Sequence, residues 1–146
     1  MNILERKDKV LAEFRNLTDW EDRYKHLIDI GKKLPVMDET FKIDKFKVKG
    51  CQSQVWLSPE FISGHLYFKA DSDAAIVKGI VALLIEVYSD ATPDEILALD
   101  PAFLSEVGIT EHLSMSRSSG LAAMMKQIKL YAMAFKAMGH QGGGAS

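Results

Sequence analysis

Residues Val48 to Tyr88 read VKGCQSQVWLSPEFISGHLYFKADSDAAIVKGIVALLIEVY. The first part, Val48 to Leu57, is rich in Val, Trp and Ser and poor in helix signals, so a strand is expected there, ended by Ser58-Pro59. Within Phe61 to Ala70, the turn pair Ser63-Gly64 precedes His65, Leu66, Tyr67 and Phe68, which predicts a second strand antiparallel to the first. Asp71-Ser72-Asp73 then supplies helix-start chemistry, and Ala74 to Tyr88 is apolar on nearly every face, the pattern of a helix buried inside a domain. A hairpin feeding a buried helix needs other elements to cover both.

The flanks supply helices. Upstream, Leu4, Val10, Leu11, Phe14 and Leu17 approximate one helical face with charges between them. Thr18 and Glu21 have capping-box spacing, and Trp20, Tyr24, Leu27, Ile28 and Leu34 form a second stripe that stops before Pro35. Because two strands alone are marginal, a third strand is expected, with Phe41 to Val48 as its candidate. Downstream, Thr92-Pro93-Asp94-Glu95 and then Asp100-Pro101 start two short helices, the second closed by Gly108. Leu121, Met124, Met125, Ile128, Tyr131, Phe135 and Met138 keep a final helical stripe that Gly139 is placed to stop. The order helices, strands, helices predicts an α+β fold: a small antiparallel sheet packed against several helices in a single domain. Residues 1–139 form that domain, and 140–146, with Gly142 to Gly144 in a row, are expected to be a flexible tail.

Bulk composition narrows the function classes. A chain of 146 residues, 47% hydrophobic and 26% charged, is long enough for an ordinary core and has a globular balance. With 18 basic against 20 acidic residues, no global field would hold a nucleic acid. The start of the chain is broken by Glu5, Arg6, Lys7, Asp8 and Lys9 and lacks the apolar run of a secretory signal, so a cytoplasmic location is expected. The apolar run Ile80 to Ile85 is far short of the roughly 20 residues a membrane helix needs. One cysteine closes no internal disulfide, and His26, His65, His112 and His140 offer no short-spaced metal pair.

That one cysteine, Cys51, lies in Lys49-Gly50-Cys51-Gln52-Ser53-Gln54 at the entry to the strand region. Gly50 has access to backbone angles closed to other residues and leaves room beside the sulfur for a partner's reacting group. Four lysines against Asp44 alone between residues 42 and 49 would favour the thiolate, the nucleophilic form. Free cysteines are more commonly buried, inert small hydrophobes; the polar neighbours Gln52, Ser53 and Gln54 weigh against that here. A cysteine hydrolase would need a histidine within hydrogen-bond reach of the sulfur, and His26, His65 or His112 are its candidates.

Gly50-Cys51-Gln52-Ser53-Gln54-Val55-Trp56 resembles the signature around the acceptor cysteine of the SufE family. Asp71-Ser72-Asp73-Ala74-Ala75-Ile76-Val77-Lys78-Gly79 is similar to that family's second hallmark block, and Ser116-Arg117-Ser118-Ser119-Gly120-Leu121 to a third. Trp20-Glu21-Asp22-Arg23-Tyr24 and Gly31-Lys32-Lys33-Leu34-Pro35 resemble its opening helix. The resemblance covers most of residues 10–138, while Phe61 to Lys69 and the glycine-rich tail match no motif.

The resemblance implies a sulfur acceptor rather than an enzyme with its own turnover. A SufS-type cysteine desulfurase, using pyridoxal phosphate bound to itself, would pass persulfide sulfur to Cys51. The chain would need no cofactor of its own, would stimulate the desulfurase, and would deliver sulfur to a SufBCD-type scaffold for iron–sulfur cluster assembly. Protection of the persulfide implies a mostly apolar recess, for which Val55, Trp56 and the apolar face of helix 74–88 are candidates. Arg117, in the third block, would contact the desulfurase or the thiolate, or else pair with a surface carboxylate; Gly50 and Gln52 flank the acceptor. A related acceptor serving another desulfurase, a structural adaptor, a homodimer and the hydrolase remain alternatives.

Asp71 and Asp73 are read as helix caps rather than an acid/base pair. Met124, Met125 and Met138 are assigned to the core with Met133 outside it, and Trp20 and Trp56 to packing. Lys42 to Lys49 are most simply a solvated strand edge kept from aggregating by charge.

Overall fold

The Ser63-Gly64 pair turns the chain with positive φ at both positions, 51° and 83°, the geometry whose twist matches two antiparallel strands. In the computed structural model, which describes residues 1–108 and 113–141, this turn joins β1 (Val55–Ile62) to β2 (His65–Ser72). The register pairs Val55 with Ser72 and Ile62 with His65. β1 thus runs through Pro59 instead of ending there. Pro59 faces Phe68, whose N–H points away from β1 and donates to Ser89 Oγ at 3.0 Å. Facing residues of such a pair direct their amides outward, so the proline removes no ladder hydrogen bond.

The sheet described has two strands. The expected third strand is replaced by two short 3₁₀ turns, Glu39–Phe41 and Asp44–Phe46, followed by an isolated bridge between Lys47 and Trp56. Asp38 holds the first turn by accepting from Thr40 N at 2.9 Å, a local bond that competes with extended pairing. Support for the hairpin comes from helices instead. α3 (Ala75–Tyr88) buries Val77, Gly79, Ile80, Val81, Ala82, Leu83, Leu84, Val87 and Tyr88, as its all-round apolar sequence predicts. Leu57, Leu66, Phe68 and Ala70 of the sheet share its core.

α1 (Ile3–Arg15) is closed by a capping box between Asn2 and Glu5 and buries Ile3, Val10, Leu11 and Phe14, with Leu4 exposed. α2 (Trp20–Lys32) begins one residue later than the Thr18/Glu21 spacing suggests: Asp19 accepts from Asp22 N, a stronger acceptor than a threonine hydroxyl. Its buried face is Leu27, Ile30 and Gly31, while Trp20 is exposed, stacked edge-on against Tyr24 at 5.2 Å, rather than packed in the core. α2 lies against α3 at very close range. A Cβ on Gly31 would stand 2.8 Å from Gly79 N, and one on Gly79 would meet the Leu27 carbonyl.

α4 (Pro93–Ala98) carries the predicted Thr92/Glu95 capping box with proline in its first turn. A 3₁₀ helix, Pro101–Val107, follows under an Asp100 cap and ends at Gly108 with φ 79°. α5 (Met115–Gln141) buries Met124, Met125, Ile128 and Ala132. It ties to the sheet through Tyr131 Oη, which donates to the Leu57 carbonyl at 3.0 Å. Gly139 does not end α5, which is assigned through Gln141; a glycine inside a helix is only mildly unfavourable. Residues 140 and 141 therefore belong to this helix, and the rest of the expected tail lies outside the described residues. Met138 is exposed along with Met133, off the face on which Phe135 stacks against Phe61 of the hairpin at 5.1 Å.

Candidate functional site

Cys51 sits on a six-residue excursion, 49–54, that is pinched at its base. Val48 N donates to the Val55 carbonyl at 2.8 Å, closing the excursion on the strand side. At its far end Gln54 N donates to Asp73 Oδ1 at 3.0 Å, and Asp73 N donates back to the Gln54 carbonyl at 3.3 Å. Gly50 takes a φ of 95°, left-handed space that only glycine enters without strain. It turns the cysteine side chain toward the body of the protein.

There the thiol faces a cavity of about 300 Å³ lined by Cys51, Gln52, Ser53, Val77, Ile80, Ser114, Ser116, Arg117, Gly120 and Met124. The floor is apolar, from α3 and α5, and the rim is polar. Cys51 Sγ lies 3.6 Å from the Gly120 carbonyl, positioned to donate to it. A recess thus exists on the α3 side, through Val77 and Ile80, but it is not mostly apolar as expected: Gln52, Ser53, Ser114, Ser116 and Arg117 make up half of its lining. Val55 and Trp56 are not among its walls: Val55 points into the core, and Lys42 Nζ covers the Trp56 ring at 5.8 Å.

Electrostatics at the sulfur run opposite to the expectation drawn from the lysines. Burial pushes the Cys51 thiol above its ordinary pKa, since an apolar wall disfavours the thiolate. The lysines are turned elsewhere. Lys42 pairs with Asp71 at 2.8 Å and Glu39 at 3.2 Å, while Lys45, Lys47 and Lys49 line a separate cavity with Lys126 and Ala123. Sequence proximity did not become spatial proximity to Sγ, because the chain reverses at Gly50.

The site residues proposed from sequence are brought together. Gln52 and Arg117 both border the Cys51 cavity, and Gly50 shapes its loop. Arg117 is exposed, and among the described residues no carboxylate pairs with its side chain; its backbone N–H donates to Ser114 Oγ at 3.3 Å. Asp71 and Asp73 are not helix caps. Ala74 precedes α3 and supplies no side-chain cap, Asp71 bridges Lys42 and Lys78, and Asp73 holds the cysteine loop. Gly120, Ser114 and Met124 join the site without a sequence signal: Gly120 lies within Ser116 to Leu121, and no spacing rule aims it at residue 51.

The described histidines are remote from this chemistry. His26 bonds Glu13 at 3.2 Å and His65 bonds Asp90 at 2.9 Å, and neither lines the Cys51 cavity. His112 lies outside the described residues. Among the described residues no cluster of three His, Cys, Asp or Glu side chains could hold a metal, and no helix is long and apolar enough to cross a membrane.

Comparison with known proteins places the chain in a family. The SufE family model, described as an Fe-S metabolism associated domain, matches residues 8–132. An uncharacterised SufE-like protein of Rhizobium etli is 43% identical over 129 residues, spanning 84% of this chain and 86% of its own. The solution structure of a hypothetical protein from Thermus thermophilus superposes with a TM-score of 0.74 at 21% identity, covering 88% of this chain and 94% of that one, and shares the fold. By a family match that takes in both the Cys51 loop and most of α5, and by a relative alike over most of its length, this chain belongs to the SufE family, whose domain is associated with iron–sulfur metabolism.

Proposed function

We propose that the protein is a sulfur acceptor, with Cys51 taking persulfide sulfur from a SufS-type cysteine desulfurase and passing it toward a SufBCD-type cluster scaffold. One observation carries this reading: the chain's single cysteine sits on a short loop beside a recess with an apolar floor and a polar rim, and an exposed guanidinium stands at that rim. An inert core thiol has no need of such a loop, and a hydrolase would need a base beside Sγ that no described histidine supplies.

The transfer is thiol–disulfide chemistry. Cys51 loses its proton, and its thiolate attacks the outer sulfur of the desulfurase persulfide. The new S–S bond forms as the old one breaks, and the desulfurase cysteine leaves as thiolate. No net oxidation occurs. Pyridoxal phosphate stays with the desulfurase, and the acceptor needs no cofactor of its own. At rest, burial keeps the sulfur protonated and poorly nucleophilic. Docking must therefore draw the loop out of the recess, after which the apolar floor can shelter the loaded sulfur from small thiols. Arg117 is placed to meet an anionic sulfur or an acidic group of the desulfurase at the rim.

The test is desulfurase turnover, followed as alanine formed from cysteine, with and without this protein. Wild type raises turnover and Cys51→Ser does not. Full stimulation by Cys51→Ser would make the protein a structural adaptor, and turnover of an acyl or amide substrate without any desulfurase would make it a hydrolase.

A further inference from the structure

The Cys51 loop rests on α5 at two points, and both involve small residues three apart on one helical face. A Cβ built on Gly50 would stand 3.3 Å from Ala123 Cβ, so the loop backbone at Gly50 lies directly over that methyl. A Cβ built on Gly120 would stand 3.4 Å from Cys51 Sγ and 3.9 Å from Cys51 Cβ, so a methyl there would just touch the thiol and a longer side chain would need the space the thiol occupies. The Gly120 carbonyl, 3.6 Å from Sγ, is the acceptor at the same spot. Gly120 is itself buried, and Ala123 is half-buried.

We infer that Gly120 and Ala123 are positioning residues for sulfur transfer: together they form a seat on α5 that holds the Cys51 sulfur retracted until a partner lifts the loop away. The seat works by shape and by one weak hydrogen bond. A larger side chain at either place competes with the loop for the same volume and leaves the sulfur outside the recess. The resting thiol donates to Gly120, but once Cys51 carries a second sulfur its Sγ has no proton to give, so loading removes that bond while the apolar floor remains. The seat stands on geometry alone, and its consequence for transfer rests on the sulfur-acceptor reading above.

The experiment uses the full chain and two variants, Gly120→Leu and Ala123→Leu, each checked for a wild-type circular dichroism spectrum and cooperative melting. Iodoacetamide alkylation of Cys51 is followed by intact mass across pH 6 to 10. Both folded variants are expected to react faster at neutral pH and to show an alkylation midpoint lowered toward an unperturbed thiol, with about tenfold more thiolate for each unit of the fall. A variant that merely loosened the fold would also expose the thiol but would melt earlier, so the midpoint is compared only for variants with the wild-type melting temperature. A folded variant with the wild-type pH profile would overturn the seat. Should Gly120→Leu fail to fold, Ala123→Leu decides, because a half-buried site tolerates the larger side chain better. In a second arm the proteins are loaded with inorganic polysulfide and exposed to a small thiol. The variants are expected to lose the added sulfur several-fold faster than wild type, and equal loss would show that the seat has no part in protection. Failure of wild type to carry sulfur from a desulfurase would defeat the acceptor reading but leave the alkylation result standing.

Discussion

Asp73 and Gln54 hold each other by two hydrogen bonds, Gln54 N to Asp73 Oδ1 at 3.0 Å and Asp73 N to the Gln54 carbonyl at 3.3 Å. The pair clips the end of the cysteine loop to the start of α3. Asp73→Ala removes the side-chain half. Loss of about 1 kcal/mol from the closed loop should raise its open population about fivefold. Cys51 alkylation should quicken accordingly, with little change in melting temperature. An unchanged rate would mean that the loop is held elsewhere.

The α2–α3 crossing depends on Gly79. A methyl there would meet the Leu27 carbonyl, and backbone cannot swing aside as a long side chain can. Overpacking of this kind costs about 1–3 kcal/mol, against about 0.5–1 kcal/mol gained from alanine's helix preference. Gly79→Ala is therefore expected to be a net destabilisation, read as a lower urea midpoint at unchanged slope. A midpoint at or above wild type would refute the close approach.

Asp71 gives stability a pH dependence. Burial works against its charge, yet the Lys42 hydrogen bond, the Ser72 N–H and the charges of Lys78 and Lys42 outweigh it and hold its carboxyl below the usual value. A depressed carboxylate contributes stability that is fully present above its unfolded pKa, about 3.9, and is lost as pH falls through the folded value. Wild type should lose stability on acidification below about pH 4 more steeply than Asp71→Asn, measured by urea unfolding at a series of pH values. Parallel curves would mean that the ion pairs contribute nothing.

Arg117 borders the cavity, yet burial is the cause that sets the Cys51 pKa. Arg117→Ala should accordingly leave the alkylation pH profile unchanged. It should lower desulfurase stimulation about fivefold, the effect of about 1 kcal/mol from an exposed charge contact. A shifted profile with normal stimulation would place the guanidinium on the resting thiol instead.

The hairpin turn, the buried α3 and the Thr92 and Asp100 caps were legible because each rests on local chemistry: positive φ at Ser63-Gly64, an apolar run, an acceptor side chain before a proline. Elements that depend on distant partners were not. Ser58-Pro59 reads as a strand end because nothing local shows that Ser89, from beyond α3, takes the outward amide of the facing Phe68. Asp73 looked like a cap because it precedes a helix, but its carboxylate turns to Gln54. Cys51 stood out as the single cysteine of a motif, whereas the electrostatics around it did not. Lys45, Lys47 and Lys49 are near it in sequence and turned to another cavity in space. Gly120, remote in sequence, supplies the carbonyl to which the thiol donates.

Whether Cys51 carries sulfur is read from intact mass. The protein is incubated with a catalytic amount of a SufS-type desulfurase and cysteine, without reductant, beside Cys51→Ser. Added sulfur, in steps of about 32 Da for the persulfide rung of cysteine chemistry, is expected on wild type only. No added mass on wild type with a desulfurase shown to be active, or equal addition to Cys51→Ser, would contradict it.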